Sequence, residues 1–155
     1  MKQYRPNVAA LLVNSQGQLL VCERFKIPNS WQFPQGGVDP DEDLNSALQR
    51  EVQEEIGLNP DAYIIEKSRG GYRYHYPAKV IAAKPPHKRK FVGQEQTYFL
   101  CRAREDDPEF DLTHEPREFS QVKWIYPEEF QLAWLPDFKK EVYRKVMGDF
   151  FKVEI

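Results

Sequence analysis

Apolar positions in this chain fall into short runs separated by turn-forming residues, and the runs follow two different periods. Residues 7–14, NVAALLVN, are almost continuously apolar, and residues 18–24, QLLVCER, repeat the pattern. Such runs predict strands, and Ser15-Gln16-Gly17 between them predicts a hairpin. The first run lacks polar alternation, as expected of a strand covered on both faces. Tyr4-Arg5-Pro6 is polar and expected at the surface, and Arg24 should emerge where the second strand ends. In Trp31-Gln32-Phe33-Pro34-Gln35-Gly36-Gly37, alternating aromatics precede a proline and two glycines. This predicts either a core strand with a tight turn or backbone brought close to a ligand. Further strands are expected at 63–66, 72–76, 94–101 and 121–126, the second alternating aromatic with polar residues.

The 3.6-residue period appears twice. Residues 44–56 are good helix formers with no internal Gly or Pro, and Gly57 provides the stop. Residues 136–151 bring Phe138, Val142, Tyr143, Val146 and Phe150 to one face, and a short helix start is expected at 127–132. Strands interspersed with two substantial helices predict an α/β fold, a mixed sheet covered by helices on both faces.

The first helix carries an anomaly. At about 100° per residue, Leu44, Leu48, Glu51 and Glu55 fall within about 60° of one another, with Ala47 and Val52 flanking them. Two carboxylates therefore lie on the stripe that should face the core, and Glu54 lies close beside them. A desolvated carboxylate shifts its pKa or takes an opposite charge. Arg50 is expected to point away from Glu51, so it compensates only in part. A hard divalent cation held by oxygen ligands is one answer, Mg²⁺ being usual where phosphates are present. An acidic helix that simply faces water is the other.

The spacing distinguishes them. Gly36, five residues, Glu42, seven residues, then Arg50-Glu51-Val52-Gln53-Glu54-Glu55-Ile56-Gly57-Leu58 resembles the Nudix hydrolase signature at every defined position. The resemblance implies an α/β/α sandwich with a catalytic loop-helix-loop that binds Mg²⁺ or Mn²⁺, and hydrolysis of a nucleoside diphosphate linked to another group. It assigns the metal to Glu51, Glu54, Glu55 and the Gly36 carbonyl, and to Arg50 the orienting of the glutamates. A bound cation of this kind neutralises phosphate oxygens and acidifies a water. The proton acceptor stays open among Glu54, Glu55 and Glu118. Glu118 stands in Pro116-Arg117-Glu118-Phe119 ahead of Trp124, similar to a Pro-Glu-Phe run of the family but separated from its proline by Arg117. Glu115 is a weaker rival.

Beyond the signature, Tyr4-Arg5-Pro6-Asn7-Val8, residues 31–37, Gly93-Gln94-x-Gln96 and Phe138-Lys139-Lys140-x-Val142-Tyr143-Arg144 resemble the bacterial RNA pyrophosphohydrolase branch of the family. Asymmetric diadenosine tetraphosphate hydrolases use the same framework. The resemblance implies removal of pyrophosphate from the 5′-triphosphate or diphosphate end of RNA. Cleavage of diadenosine tetraphosphate to ATP and AMP is the alternative, and a non-catalytic nucleotide sensor is a third reading, which the intact glutamate set disfavours. Carried over by position, Arg5, Arg24 and Lys139 meet phosphates and Gln35 lies among the substrate contacts. Tyr74 lies by the polyphosphate or base, and Phe138 stacks on a base or merely fills the core. Pro136 stands where those enzymes have an aliphatic partner for that base.

Composition narrows the setting without choosing the function. The 155 residues predict one domain, 1–155, and 41% apolar with 30% charged residues is ordinary for a globular protein. A formal charge of −2 exerts no overall pull on nucleic acid, so any RNA contact is local. The basic run at 84–90, KPPHKRK, is either a solvated linker or a phosphate-attracting rim. No membrane span or signal peptide is evident, no obligate protein partner is indicated, and Cys22 and Cys101 are expected as buried reduced thiols. A cytoplasmic location follows as the expectation.

Overall fold

The structure, a computed structural model, describes residues 3–155. The first two positions of the expected domain, with the start of the segment judged to lack a signal peptide, lie outside the described residues. Seven strands form one mixed sheet: β1 (Gln3–Val13), β2 (Leu19–Arg24), β3 (Trp31–Gln32), β4 (Gln35–Gly37), β5 (Tyr63–His75), β6 (Phe91–Ala103) and β7 (Phe119–Ile125). The order is β3-β2-β1-β6-β5, with β4 on β1 and β7 on β2. β1 runs parallel to β6 along its whole length, and every other pairing is antiparallel.

The near-continuous apolar run of β1 is explained by what covers it. Val8, Ala10 and Leu12 face one core with Ala47, Leu48, Val52 and Ile56 of helix α1 (Leu44–Ile56). Ala9 and Leu11 face the other with Val142, Tyr143, Val146 and Met147 of helix α3 (Asp137–Phe151). Alternation along a central strand thus feeds two cores, giving the expected α/β/α layering. Both ends of α1 are capped as its sequence requires. The Asp43 side chain accepts from the Ser46 amide at 2.8 Å, and Gly57, at φ 68°, turns α1 out through the left-handed region.

Several local expectations change. β1 starts at Gln3, because its parallel pairing with β6 draws Tyr4-Arg5-Pro6 into the sheet. The β1–β2 hairpin is reduced to one register pair, Val13↔Leu19, since β2 lies along β7 instead. The two strands expected at 63–66 and 72–76 join into β5, which absorbs its irregularity as register shifts against β6 and a positive φ at Gly71. A short helix, α2 (Ala78–Ala82), precedes the basic run. The expected helix start at 127–132 forms two single 3₁₀ turns. Leu44 is 41% exposed, because it opens the helix before the apolar stripe reaches the sheet.

Segment 31–37 is held from both layers. Phe33 stacks on Tyr143 of α3, with ring centroids 5.0 Å apart, and its amide donates to the Tyr143 hydroxyl at 3.4 Å. From below, a buried polar ladder reaches it. Tyr98 donates to Gln96 at 2.9 Å, Gln96 to Asn7 at 2.9 Å, and Asn7 to the Gln35 side chain at 2.8 Å. Each buried amide in the ladder finds a partner, so the segment is pinned without an unsatisfied polar group.

Gly93 marks the closest approach of β6 to β5. A Cβ built there would run into the backbone carbonyl of Tyr74, which has no flexible side chain to yield. Gly93→Ala is expected to lower unfolding free energy by about 1–3 kcal/mol, the scale of overpacking. Urea denaturation measures it, and an unchanged midpoint would contradict the tight β5–β6 approach.

Candidate active site

The C-terminal half of α1, the β4 turn and the segment before β7 meet at one edge of the sheet. Glu51, Glu54 and Glu55 share a cleft of roughly 270 Å³ with His114, Glu115 and Glu118. Glu118 is fixed there by its backbone, because its carbonyl accepts from the Phe25 amide at 2.8 Å. Glu55 is the most buried of the five glutamates at 8% exposure, and its Oε1 accepts from the Gln35 amide at 2.8 Å. Burial pushes its pKa well above the usual carboxylate range, and the charges of Glu51, Glu118 and Glu54 push the same way. Burial also raises the Glu51 carboxyl, against the pull of Arg50.

Arg50 corrects a sequence expectation. It turns toward Glu51 rather than away, donating to Glu51 Oε1 at 2.7 Å while its Nη1 stands 3.4 Å from Glu54. The same guanidinium donates to both oxygens of Glu42 at 2.9 Å and to the Gly37 carbonyl at 2.9 Å. A planar fork can satisfy all of these at once. Its hydrogen bonds hold the Glu42 carboxyl down at about 2, and the Asp39 amide adds to the effect. Arg50 therefore ties the turn before α1 to the carboxylate face.

Gly36 is required by proximity. A Cβ there would fall on the Glu51 carboxylate, and one at Gly37 would fall on the Arg5 guanidinium. An adjoining cleft of roughly 230 Å³ brings Arg5, Asn7, Gln35 and Gln94 beside Glu51, Glu55 and Glu118. Among the described residues, no three His, Cys, Asp or Glu side chains already stand in a ligating arrangement. Glu51 and Glu54 are engaged by Arg50 and Glu55 by Gln35, so convergence on an ion requires side-chain rotation. The donor set itself suits a hard cation: carboxylate oxygens that repel one another, those of Glu51 and Glu55 largely desolvated, with one guanidinium among them.

The groove continues past Gln35 and Gln94 into a cleft of roughly 370 Å³. Here Arg24, Tyr74, Phe138 and Lys139 come together as expected, joined by Tyr76, Lys84 and Pro136. Tyr74 and Phe138 touch each other, their centroids 5.5 Å apart, and form one aromatic wall. Tyr74 donates to the Gln94 side chain. Burial, with the Arg24 and Lys84 charges adding to it, lowers the Lys139 pKa to about 8. Tyr76 and Asn7 are lining residues that sequence reasoning missed, and Lys84 was foreseen only within the basic run's phosphate-rim alternative. Asn7 was hidden because its role depends on the parallel β1–β6 pairing. Lys84 was hidden within a run that has the composition of a solvated loop.

The NUDIX domain family model matches residues 3–146. The RNA pyrophosphohydrolase of Hahella chejuensis is 40% identical, covering 97% of this chain and 92% of that protein. The RNA pyrophosphohydrolase of Teredinibacter turnerae is 38% identical, covering 94% and 84%. Among solved structures, the E. coli dihydroneopterin triphosphate pyrophosphohydrolase aligns with a TM-score of 0.68 at 16% identity, covering 96% of this chain and 97% of that one. A C. elegans Ap4A hydrolase binary complex aligns with a TM-score of 0.62 at 19% identity, covering 92% and 96%. Those two structures share the fold. No helix among the described residues is long and apolar enough to cross a membrane. Hydrolases with this domain generally use divalent metal ions. With the glutamate helix, its arginine and the sheet that holds them matched over nearly the whole chain, this protein belongs to the Nudix family of hydrolases.

Proposed function

We propose that this chain is a pyrophosphohydrolase that removes pyrophosphate from the 5′-triphosphate end of RNA, or orthophosphate from its 5′-diphosphate end, leaving a 5′-monophosphate. The observation that carries the reading is the division of one groove. Glutamates crowd one end, Glu51 and Glu55 with little water around them, and the other end presents cations and aromatic rings with no carboxylate in its lining. The relatives named for this activity, at 38% and 40% identity over most of the chain, support it.

In this reading Glu51, Glu54 and Glu55, with the Gly36 carbonyl, hold Mg²⁺ or, in its place, Mn²⁺. The bound ion supplies charge neutralisation on the phosphate oxygens and a water made more acidic. Arg50 positions the glutamates by bracing Glu51 against Glu42 and Gly37. A proton from the attacking water passes to Glu54, Glu55 or Glu118, which share the cleft. Arg5, Arg24 and Lys139 bind the polyphosphate, Gln35 contributes its amide, and the Tyr74–Phe138 wall receives the base. The reaction needs chiefly positioning and charge compensation, which this set provides. One domain spans the chain, and buried free Cys22 and Cys101 suit a reducing cytoplasm. Burial pushes the Cys101 thiol up to about 12, so it stays protonated and unreactive.

Diadenosine tetraphosphate is the competing substrate, since the same groove offers it both a phosphate track and a base wall. Pyrophosphate release from 5′-triphosphorylated RNA with Mg²⁺, run beside diadenosine tetraphosphate at equal concentration, is expected to favour RNA in kcat/KM. A preference for the dinucleotide would reverse the assignment, and turnover of neither with tight binding would indicate a sensor.

Glu54→Gln is expected to cut turnover by about a hundredfold or more, the scale of removing one electrostatic group from a transition state. Its thermal midpoint should stay near wild type, because charge is lost but little volume. Gly36→Ala is expected to leave the fold intact while displacing the Glu51 carboxylate, the flexible end of a side chain. Its apparent affinity for Mg²⁺, measured as the metal dependence of the rate, should fall. Wild-type metal dependence in that variant would detach Gly36 from the site.

A further inference from the structure

Within the basic run at 84–90, Lys84 alone lines the groove; Lys90 is exposed. Its ammonium lies 4.3 Å from the centroid of the Tyr76 ring, so the side chain is laid along an aromatic face. Its backbone is anchored as well. Arg89 donates to the Lys84 carbonyl at 3.0 Å and the Ala82 carbonyl at 3.2 Å, closing the turn after α2. Lys84 therefore has a defined station at the groove.

Its electrostatic surroundings are unusual. Arg24 and Lys139 line the same cleft, and Arg5 lines the next. Among the described residues, none of these four cations has a carboxylate within ion-pair distance. Burial lowers the Lys84 pKa, with Arg5 and Lys88 adding to the effect, and Lys84 in turn lowers that of Lys139. The Tyr76 hydroxyl beneath it is buried without a hydrogen-bond partner. Like charges gathered around a cleft of roughly 370 Å³, with no counter-charge in its lining, are stabilised by a multiply charged anion.

We propose that Lys84 is a further substrate-binding residue, engaging the 5′-polyphosphate from the α2 side of the groove, opposite the α3 residue Lys139. The role rests on the reading of the groove as a site for a nucleotide polyphosphate. It also settles the basic run's two alternatives residue by residue, since Lys84 serves the site while Lys90 is solvated.

Binding of a short single-stranded RNA carrying a 5′-triphosphate, beside the same RNA with a 5′-hydroxyl, tests this by fluorescence anisotropy with Ca²⁺ present. The proteins are wild type, Lys84→Met, Lys84→Arg and Lys90→Met. Methionine keeps the stem against Tyr76 and removes the charge, and thermal midpoints of all four should agree. Lys84→Met is expected to weaken triphosphate binding by about tenfold, in the range of a charge-assisted contact. Its log-affinity against log-salt slope should flatten by about 0.7, as for one lost contact to a single strand. Lys84→Arg should retain most of the affinity, while Lys90→Met and all hydroxyl-ended complexes should change little. Wild-type affinity in Lys84→Met, or an equal loss for both RNA ends, overturns the proposal. Wild-type protein that fails to prefer the triphosphate end overturns instead the functional reading beneath it.

Discussion

A carboxylate placed on the apolar side of a helix is the constraint on which the rest of this structure depends. Glu55 shares its face of α1 with Leu48, Val52 and Ile56, which are buried against the sheet. Its charge has little water to stabilise it, and its neighbours Glu51, Glu54 and Glu118 make ionisation harder. Within the chain its compensation is one backbone N–H, from Gln35. Much of the architecture delivers that N–H accurately. Tyr143 holds the segment from the α3 layer, Asn7, Gln96 and Tyr98 hold it from within the sheet, and β4 pairs Gln35↔Ala9 and Gly36↔Val8.

Arg50 solves a second problem created by the same crowding. One guanidinium spans Glu42, Glu51, Glu54 and the Gly37 carbonyl, so the turn entering α1 and the face leaving it are bound together. Yet one positive charge among so many carboxylates leaves the cluster electrostatically unfinished. The other end of the groove is unfinished with the opposite sign, at Arg5, Arg24, Lys84 and Lys139. In the function proposed above, a polyanion bound with a divalent cation would complete both ends at once, so that substrate and metal would act as one electrostatic unit.

Much of this was legible in the residues. The carboxylate face, the helix and its Gly57 exit follow from spacing and conformational preference, and all three survive in the structure. The layering was legible too, since a strand without alternation needs two covers. What escaped depended on distant partners. β1 reaches back to Gln3 because β6 pairs with it, and β5 is continuous because β6 carries it past Gly71. Arg50 looked averted from Glu51 on a helical wheel, but a long flexible side chain reaches around its own helix. Tyr74 and Phe138 form one wall because α3 packs Phe138 against the β5 ring. Lys84 lies in a segment whose composition resembles a solvated loop, and only the turn after α2 aims it inward.

The central claim is that the α1 glutamates are gathered to hold a divalent cation. Mn²⁺ titration followed by electron paramagnetic resonance, comparing wild type with Glu55→Gln in the absence of nucleotide, tests it most directly. The glutamine keeps an oxygen to accept the Gln35 N–H, so the turn stays in place while the charge is removed. Saturable Mn²⁺ binding to the wild type, weakened at least about tenfold in the variant, is the predicted result. Equal Mn²⁺ affinity in both proteins would contradict the account.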